Sequence, residues 1–390
     1  MTAVWIDDDR SLSNIVVELH EHSIIAIDTE FHRERTYFPR LALVQLGWLA
    51  TDGLRVALID PLACDVSSLG ELFTDDHEFL FHACQQDLDV LSHSIGVVPT
   101  KIFDTQLAAG FLGYSTPSLA NLINAELRVA LPKGDRLTDW LRRPLSDAQK
   151  QYAAADVEYL FQLRSNLTDK LEALGRRDWA AEACAEMLTK KLGPADPADA
   201  WMRLKDTRGL KPRARGVLAA LAEWRERRAM SADIPPRQVL ADLALQGIAQ
   251  REPSTIEELS QARGVDDRHV RGGFGQEILE AVRRGRSKPI EAPRQDGDDL
   301  ERHLRPAVTL VSAWISEVAR REQVDPALLA TRSDIVDFLR EVPGHRLGSG
   351  WRFHMVGKQL HSLMSGASGL AFDGRGGLRI FPVPPHETAP

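Results

Sequence analysis

The sequence predicts an α/β sandwich domain in the first half of the chain, followed by modules that contain only helices. Two observations support this fold class. Up to about residue 175, short apolar runs alternate with stretches of helical periodicity, a pattern typical of a sheet covered by helices. From Trp201 onwards the segments are helical, with breaks at Pro and Gly residues.

The predicted strands are short apolar runs at 24–28, 41–47, 56–60, 79–82 and 101–104. One helix is expected through 85–94, and another from Ser146 to about Gly175, where Ser146 can cap the first turn. Composition also predicts domain borders. We expect a first domain at 1–192, a helical domain at 201–285, a polar linker at 286–299, a second helical domain at 300–375 and an irregular tail at 376–390.

Composition excludes several classes of protein. The 390 residues contain no apolar run of 18 or more, which predicts that no helix spans a membrane. The N-terminus is acidic and lacks the apolar segment of a signal peptide. The three cysteines are widely spaced, which argues against a zinc ribbon or a disulfide framework and predicts a cytoplasmic protein.

The net charge of −8 is unevenly distributed. Residues 1–190 hold 17 Lys and Arg against 29 Asp and Glu, whereas residues 201–288 hold 18 against 12. An acidic chain is a poor candidate for binding nucleic acid, because phosphate contacts dominate that affinity. A basic helical module weakens this objection, and some of the acidic groups could be metal ligands whose charge a cation neutralises.

The first candidate site residues are Asp28 and Glu30 on the first predicted strand. Side chains two residues apart on a strand point the same way, so these carboxylates raise each other's pKa unless a cation lies between them. Acids at a strand end that simply face solvent are the alternative explanation.

Further acids follow in two later segments. Asp87 falls near the first turn of a helix, where the helix dipole alone would explain an acid. Tyr152 and Asp156 are four residues apart in the long helix and therefore share a face. Each of these features is ordinary by itself.

Taken together and in this order, the motifs resemble those of the DEDD exonuclease superfamily, in its tyrosine-containing branch. IDTEF at 27–31 resembles the first exonuclease motif, the segment 82–88 the second and the segment 152–160 the third. FDTQ at 103–106 and LTDW at 137–140 narrow the resemblance to the ribonuclease D family. Asp89 stands where Glu is more usual, but the four acids and the tyrosine are all present.

The resemblance implies an RNase H-like fold with a mixed sheet and hydrolysis of phosphodiester bonds by two metal ions. By analogy, Asp28 would contact both ions, Glu30 and Asp156 would complete one site, and Asp87 would hold the second ion largely through water. Tyr152 would orient the attacking water. Oxygen ligands favour Mg²⁺ or Mn²⁺, and the sequence shows no Cys/His set that would favour zinc.

Weaker candidates for contacting substrate lie beside these motifs. Arg33, Arg35 and Tyr37 could steady an RNA backbone, or they could form a solvated loop. His82 could contact substrate, or it could be a strand-end histidine satisfied by the protein itself.

Three residues between the second and third motifs carry less specific expectations. Lys133 and Arg136 lie in a Gly-containing loop and could contact phosphates. Asp104 could cap the helix that follows it.

Residues 201–285 resemble the HRDC domain, a small helical module that ribonuclease D shares with certain DNA helicases. The basic cluster Arg225, Arg227 and Arg228 suits a phosphate-contacting face, and a solvated helix face paired with neighbouring glutamates is the alternative. Residues 300–370 resemble a second, more divergent module of this type. Trp201, Trp224 and Trp314 are expected to pack in helical cores.

The resemblance implies a 3′→5′ exoribonuclease that releases nucleoside 5′-monophosphates and matures the 3′ ends of tRNA precursors or other structured RNA, while the residues themselves indicate two-metal phosphoryl chemistry. Two alternatives remain open. A DNA-directed 3′→5′ exonuclease in repair could use the same four acids. A non-catalytic nucleic-acid binding scaffold would have no need to keep them. No membrane contact and no protein partner are expected.

Overall fold

The computed structural model describes residues 3–131, 138–207, 209–291 and 296–384, with side chains from residue 304 onwards in the last range. Lys133 and Arg136 lie outside the described residues.

One mixed sheet organises the first domain, with strands β1 Val4–Ile6, β2 Ile24–His32, β3 Arg40–Ala50, β4 Gly53–Ile59, β5 Glu78–Phe81 and β6 Ile102–Asp104. Their order in the sheet is β1-β4-β3-β2-β5-β6. The central strand β3 is antiparallel to both of its neighbours, β2 and β4, whereas the pairs β1–β4, β2–β5 and β5–β6 are parallel. The mixed sheet confirms the predicted fold class.

Each of the five predicted apolar runs lies within a strand or overlaps one to within a residue. β1 and the helix that follows it, Asp9–Leu19, were not predicted from the sequence. β1 has only three residues, too few to show a periodicity, and it is defined by its parallel pairing with β4, in which Val4 lies opposite Ala57.

Helices cover both faces of the sheet. One face packs against α1 Asp9–Leu19, α2 Leu69–Thr74 and α3 Gln85–Ile95. The other face packs against α4 Thr105–Gly110, α5 Leu119–Leu127, α6 Asp147–Glu158 and α7 Leu160–Ala173. A further helix, α8 Arg177–Leu188, lies beside β6. Alternation along β2 explains the two cores, since Ile25 and Ile27 are buried in one and Ala26 in the other.

The helix predicted from Ser146 to Gly175 is in fact two helices that meet at Tyr159. The division follows from packing, because α6 lies over β2, β3 and β4 whereas α7 lies over β5 and against α4 and α5. The predicted cap is present: Ser146 and Gln149 form a reciprocal capping box at the start of α6.

The middle module has its own core. It contains α9 Pro212–Ala232, α10 Pro236–Val239, α11 Asp242–Arg251, α12 Ile256–Ser260, α13 Asp267–Val270 and α14 Gly272–Arg286. Trp201 is buried in this core, and Trp224 is half-buried against Phe274 with ring centroids 5.2 Å apart.

The last segment differs from its prediction at both ends. It contains α15 Asp296–Glu322, α16 Pro326–Leu329, α17 Arg332–Leu339, α18 Gly350–Arg352, a π-helical turn at Phe353–Gly357, α19 Lys358–Met364, and strands β7 Ser368–Phe372 and β8 Leu378–Pro382. The expectation of a linker reaching residue 299 is wrong, because α15 begins at Asp296. The expectation of an irregular tail is wrong for 378–382, because β8 pairs with β7 in an antiparallel hairpin.

This last segment packs directly on the first domain. Trp351 is 3% exposed, stacks on Trp179 of α8 with centroids 5.5 Å apart, and meets the edge of Phe111 at 5.1 Å. Arg352 is buried and donates hydrogen bonds to both carboxylate oxygens of Glu186. The apolar residues of α15, α17 and α19 therefore belong to the same core as those of α4 to α7.

Among the helices of the described ranges, none combines the length and the apolar composition that crossing a bilayer requires.

We predict that Trp351→Ala loosens this packing. Truncating a buried tryptophan of this kind lowers the free energy of unfolding by about 3–5 kcal/mol, because it removes apolar contacts and leaves a cavity. Thermal denaturation and limited proteolysis would measure the change. Phe372→Ala is the matched control, since Phe372 is 73% exposed and its loss should be nearly neutral. Equal effects of the two substitutions would contradict the shared core.

Candidate active site

Three carboxylates predicted from the sequence meet at the centre of the sheet. Asp28 and Glu30 project from β2 toward the face that α6 covers, and Asp156 projects from α6 onto the same spot. One ligand oxygen from each of the three lies within 4.8 Å of the others. Small side chains on α6, with Ala153 fully buried, allow the helix to lie close to the strands.

Asp87 reaches this centre through a constrained turn between β5 and α3. Ala83 has a φ of 63°, a left-handed conformation that is costly for a residue with a Cβ. The amides of Ala83 and Cys84 donate to the carboxylate of Asp104, at 3.1 and 2.8 Å, and hold the turn. Asp87 then lies in the first turn of α3, where the Thr29 hydroxyl donates to its Oδ1 at 2.5 Å.

Tyr152 lies one turn before Asp156 on the same helix. Its ring is half-buried and lies 6.0 Å, centroid to centroid, from that of Trp140. The capping box at Ser146 fixes where α6 begins, and the burial of Ala153 and Val157 sets which face of the helix meets the sheet.

Burial raises the pKa of all four acids, and repulsion among them adds to the pKa shifts of Asp28, Glu30 and Asp156. For Asp28, burial is the largest cause of a pKa well above the usual range, and the charges of Asp87, Asp156 and Glu30 add to it. Burial, with repulsion from neighbouring acids, raises the pKa of Glu30 to about 8 and that of Asp156 to about 7. Burial raises the pKa of Asp87 to about 6, although the Thr29 hydrogen bond opposes it.

Four such groups cannot all be ionised at neutral pH without a compensating charge. A divalent cation among them would supply that charge and restore the ionised forms. The donor atoms are all carboxylate oxygens, the ligands of hard cations, so the residues present fit a divalent metal site.

The weaker candidates for substrate contacts are distributed differently. Arg33 is exposed and forms an ion pair with Asp89, and Arg35 is exposed. Tyr37 turns toward the middle module, where its hydroxyl donates to Glu226 at 2.7 Å. The structure therefore does not bring Tyr37 to the carboxylates.

His82 has protein partners at both ring nitrogens. Nδ1 lies 2.9 Å from the Thr105 hydroxyl, and Nε2 lies 3.0 Å from the carbonyl oxygen of Pro117. Burial lowers its pKa. This geometry favours the alternative of a satisfied strand-end histidine.

The structure adds three residues that the sequence did not single out for this site. The Thr29 hydroxyl holds the carboxylate of Asp87 by a hydrogen bond. The carboxylate of Asp104 caps α4 by accepting hydrogen bonds from the amides of Gln106 and Leu107, and it also accepts hydrogen bonds from the amides of Ala83 and Cys84 in the turn before α3. Gln45 on β3 lies directly opposite Asp28, is fully buried, and has no hydrogen-bond partner for its side chain among the described residues. A polar residue inside the apolar run 41–47 was the available signal for Gln45.

The fold and these carboxylates define a nuclease that works from a chain end. A family model described as 3′-5′ exonuclease matches residues 3–172, and a model of the HRDC domain matches residues 214–282. The class of protein is thus a 3′→5′ exonuclease with an added helical module.

Comparison with individual proteins narrows this class. Ribonuclease D of Gluconacetobacter diazotrophicus is 36% identical over 379 residues, which covers 95% of each chain. Ribonuclease D of Jannaschia sp. is 36% identical over 90% of this chain and 92% of its own. The crystal structure of Escherichia coli RNase D superimposes with a TM-score of 0.82 at 30% identity, covering 94% of this chain and 99% of that one.

The chain belongs to the ribonuclease D family. It is a 3′→5′ exoribonuclease that uses divalent metal, which confirms the predicted family, fold and enzyme class. The HRDC resemblance is confirmed for the middle module, whereas a second HRDC domain after residue 300 stays a prediction.

The raised pKa values predict that the chain is less stable at high pH when no divalent cation is present. Glu30 and Asp156 ionise near pH 8 and 7 in the folded chain, against 4.5 and 3.8 ordinarily, so the folded state binds more protons over that window and stability falls as pH rises through it. Asp28→Asn removes one repelling charge. In EDTA its melting temperature should exceed that of the wild type at high pH, by about 2–4 °C per kcal/mol of repulsion removed.

Thermal denaturation from about pH 5 to about pH 9, with EDTA or Mg²⁺, would measure this effect. Mg²⁺ should stabilise the wild type most at high pH and the Asp28→Asn variant little. Asp169→Asn, at an exposed position on α7, is the control and should follow the wild type. Parallel pH curves for wild type and Asp28→Asn would contradict the crowding of charges.

Proposed function

We propose that the chain removes nucleotides one at a time from the 3′ ends of structured RNA, tRNA precursors included, with two Mg²⁺ or Mn²⁺ ions as cofactors. The observation that carries this proposal is the group of four carboxylates with raised pKa values, three of which, Asp28, Glu30 and Asp156, converge as possible metal ligands while the fourth, Asp87, is buried beside them. The E. coli relative is described as an exoribonuclease involved in structured RNA processing, and we extend that substrate class to this chain.

The positions of the four acids suggest how they would be shared between the two metal ions. Asp28 has the other three acids around it and would contact both ions, Glu30 and Asp156 would complete one site, and Asp87 would serve the second through water. All donors are oxygens, and such sets favour Mg²⁺ or Mn²⁺ over softer metals. When bound, the ions supply a nucleophile at neutral pH and neutralise charge on the leaving oxygen.

The chain's own residues then orient the reaction. Tyr152 stands one helical turn from Asp156 and would hold the attacking water by a hydrogen bond from its hydroxyl. Thr29 keeps the carboxylate of Asp87 in place. Water attacks the last phosphorus, the bond to the 3′ oxygen of the preceding nucleotide breaks, and the phosphate leaves as part of a nucleoside 5′-monophosphate.

A cleft between the first domain and the middle module suits the RNA backbone. It has a volume of about 740 Å³, and its lining includes the loop through Tyr37 and equal numbers of arginines and acids: Arg33, Arg203, Arg225 and Arg237 against Glu34, Asp89, Glu226 and Asp242. Arg33 and Arg203 are paired with acids, whereas Arg237 is exposed and forms no ion pair with any acid in the described ranges. Arg237 is therefore the arginine best placed to contact a phosphate there.

The cluster expected to contact phosphate is engaged elsewhere. Arg225 is buried against Asp242, Arg227 pairs with Glu223, and Arg228 pairs with Glu277. The alternative of a helix face paired with its own glutamates fits Arg227 alone, since the partners of Arg225 and Arg228 come from other helices. Because all three arginines are held by acids, the proposed phosphate contact moves from this cluster to Arg237.

We also place the activity in the cytoplasm. The three cysteines, Cys64, Cys84 and Cys184, are all free thiols and all buried, which suits a reducing compartment.

Asp28→Asn should abolish cleavage while the chain stays folded, because the amide is a poor ligand for a hard cation and removes a charge shared by both proposed sites. The measurement is a product time course on matched 5′-labelled single-stranded RNA and DNA, with Mg²⁺, Mn²⁺ or EDTA. The wild type and the Asp169→Asn control should shorten RNA from its 3′ end, and EDTA should stop them. Retained turnover by Asp28→Asn would refute its role as a ligand, and equal shortening of DNA would refute the RNA preference.

Arg237→Ala should weaken RNA binding without affecting the chemical step. Loss of one phosphate contact reduces the slope of affinity against salt concentration by about one. Fluorescence titration of a labelled RNA at several salt concentrations, with the catalytic metal withheld, would measure the slope. Arg227→Ala is the matched control, because Arg227 is an exposed arginine of the same module outside the cleft. Identical slopes for wild type and Arg237→Ala would place the RNA elsewhere.

A further inference from the structure

A second cluster of metal-ligand side chains lies apart from the catalytic acids. It consists of His20 at the C-terminal end of α1, Asp75 directly after α2, and His77 just before β5. One ligand atom from each residue lies within 4.8 Å of the other two. Neighbouring residues in this cluster are up to 55 positions apart in sequence, so no motif spacing could reveal it.

The imidazole of His77 is oriented by a hydrogen bond at one ring nitrogen, as metal-binding histidines usually are. Its side chain is 7% exposed, and Nδ1 lies 2.8 Å from the carbonyl oxygen of His22. A carbonyl oxygen only accepts, so Nδ1 carries the proton and Nε2 presents a lone pair. A hydrogen bond that fixes the far nitrogen in this way is the usual second-shell support of a metal-binding histidine.

Nε2 of His77 is the unexplained atom of this region. It is buried and has no hydrogen-bond partner within the described part of the chain. It faces Asp75, whose Oδ2 is 3.8 Å away, too far for a hydrogen bond. A buried imidazole nitrogen without a partner is costly unless something else binds it.

The spacing of the donors fits a tetrahedral ion. Nδ1 of His20 lies 3.0 Å from Asp75 Oδ2, and Nε2 of His77 lies 3.8 Å from the same oxygen. Ligands of a tetrahedral zinc ion with bonds of about 2.0–2.1 Å are separated by about 3.3 Å. Small side-chain rotations of His20 and Asp75, both of which are exposed, would bring the two distances to this value.

The cluster is distinct from the catalytic centre. β2 and β5 are parallel, with Ile24 opposite Glu78 at their N-terminal ends, and His77 immediately precedes Glu78. Asp28 lies four residues further along β2, about 13 Å at 3.3 Å per residue. The two clusters therefore lie toward opposite ends of the same pair of strands.

We propose that His20, Asp75 and His77 form a Zn²⁺ site, completed by water, that ties the end of α1 to the segment entering β5. Two imidazoles and one carboxylate favour Zn²⁺ over Mg²⁺, which prefers oxygen ligands throughout. The sequence showed no Cys/His set that would favour zinc, because the members of this set are brought together only by the fold.

The test uses the full-length chain stripped of metal and then kept in excess Mg²⁺, so that the catalytic carboxylates are occupied. Zn²⁺ is titrated by calorimetry, and Co²⁺ is titrated by visible absorption as a probe of ligand geometry. We expect one Zn²⁺ per chain and the intense bands of a tetrahedral Co²⁺ site. His20→Ala and His77→Ala should each weaken Zn²⁺ binding by about 100-fold or more, the upper end of what losing even a supporting residue costs.

His22→Ala is the matched control. It removes a histidine from the same loop, but only the backbone carbonyl of His22 takes part in the arrangement, so Zn²⁺ binding should be unchanged. Asp28→Asn should also bind Zn²⁺ as the wild type does. If His77→Ala fails to fold, Zn²⁺ binding by His20→Ala and Asp75→Asn tests the proposal, because both of these residues are exposed. Undiminished Zn²⁺ binding by these variants, or no Zn²⁺ binding above that of Mg²⁺, would leave a plain His20–Asp75 ion pair and overturn the proposal.

Discussion

Repulsion among closely spaced carboxylates, all of them at least half-buried, is the constraint on which the first domain depends. Asp28 and Glu30 are fixed by the alternation of β2, so the other two acids must be brought to them by separate elements. The capping box starts α6 in the register that presents Asp156, and the Thr29 hydroxyl holds Asp87. Without a bound cation, ionising all of these carboxylates is unfavourable because they share a small, largely buried volume. A divalent cation relieves this repulsion, so the same crowding favours cation binding.

Asp104 shows how much of this arrangement depends on a residue that touches no substrate. Its carboxylate accepts four backbone N–H groups, two at the start of α4 and two in the turn before α3. A carboxylate bound by that many amides is rigid, and it compensates a turn in which Ala83 has an unfavourable backbone conformation. The position of Asp87 on α3 thus depends on the end of β6, the next element along the chain.

Local patterns predicted the strands and the site acids, because alternation on β2 and the four-residue spacing on α6 are properties of short segments. What the sequence missed depends on contacts between distant segments. β1 exists through its pairing with β4, the roles of Asp104 and Gln45 appear only when two strands lie side by side, and β8 requires β7 as a partner. The arginine cluster was ambiguous for the same reason, since Asp242 and Glu277 come from other helices.

The packing of the last segment on the first domain has a consequence during synthesis. The core that contains Ala26 and Leu80 also contains Val308, Trp314 and Leu360. A nascent chain therefore lacks part of the hydrophobic core of its catalytic domain until the segment up to Leu360 has left the ribosome. The order of synthesis delays completion of a ribonuclease fold while the growing chain is still joined to tRNA and lies close to messenger RNA and ribosomal RNA.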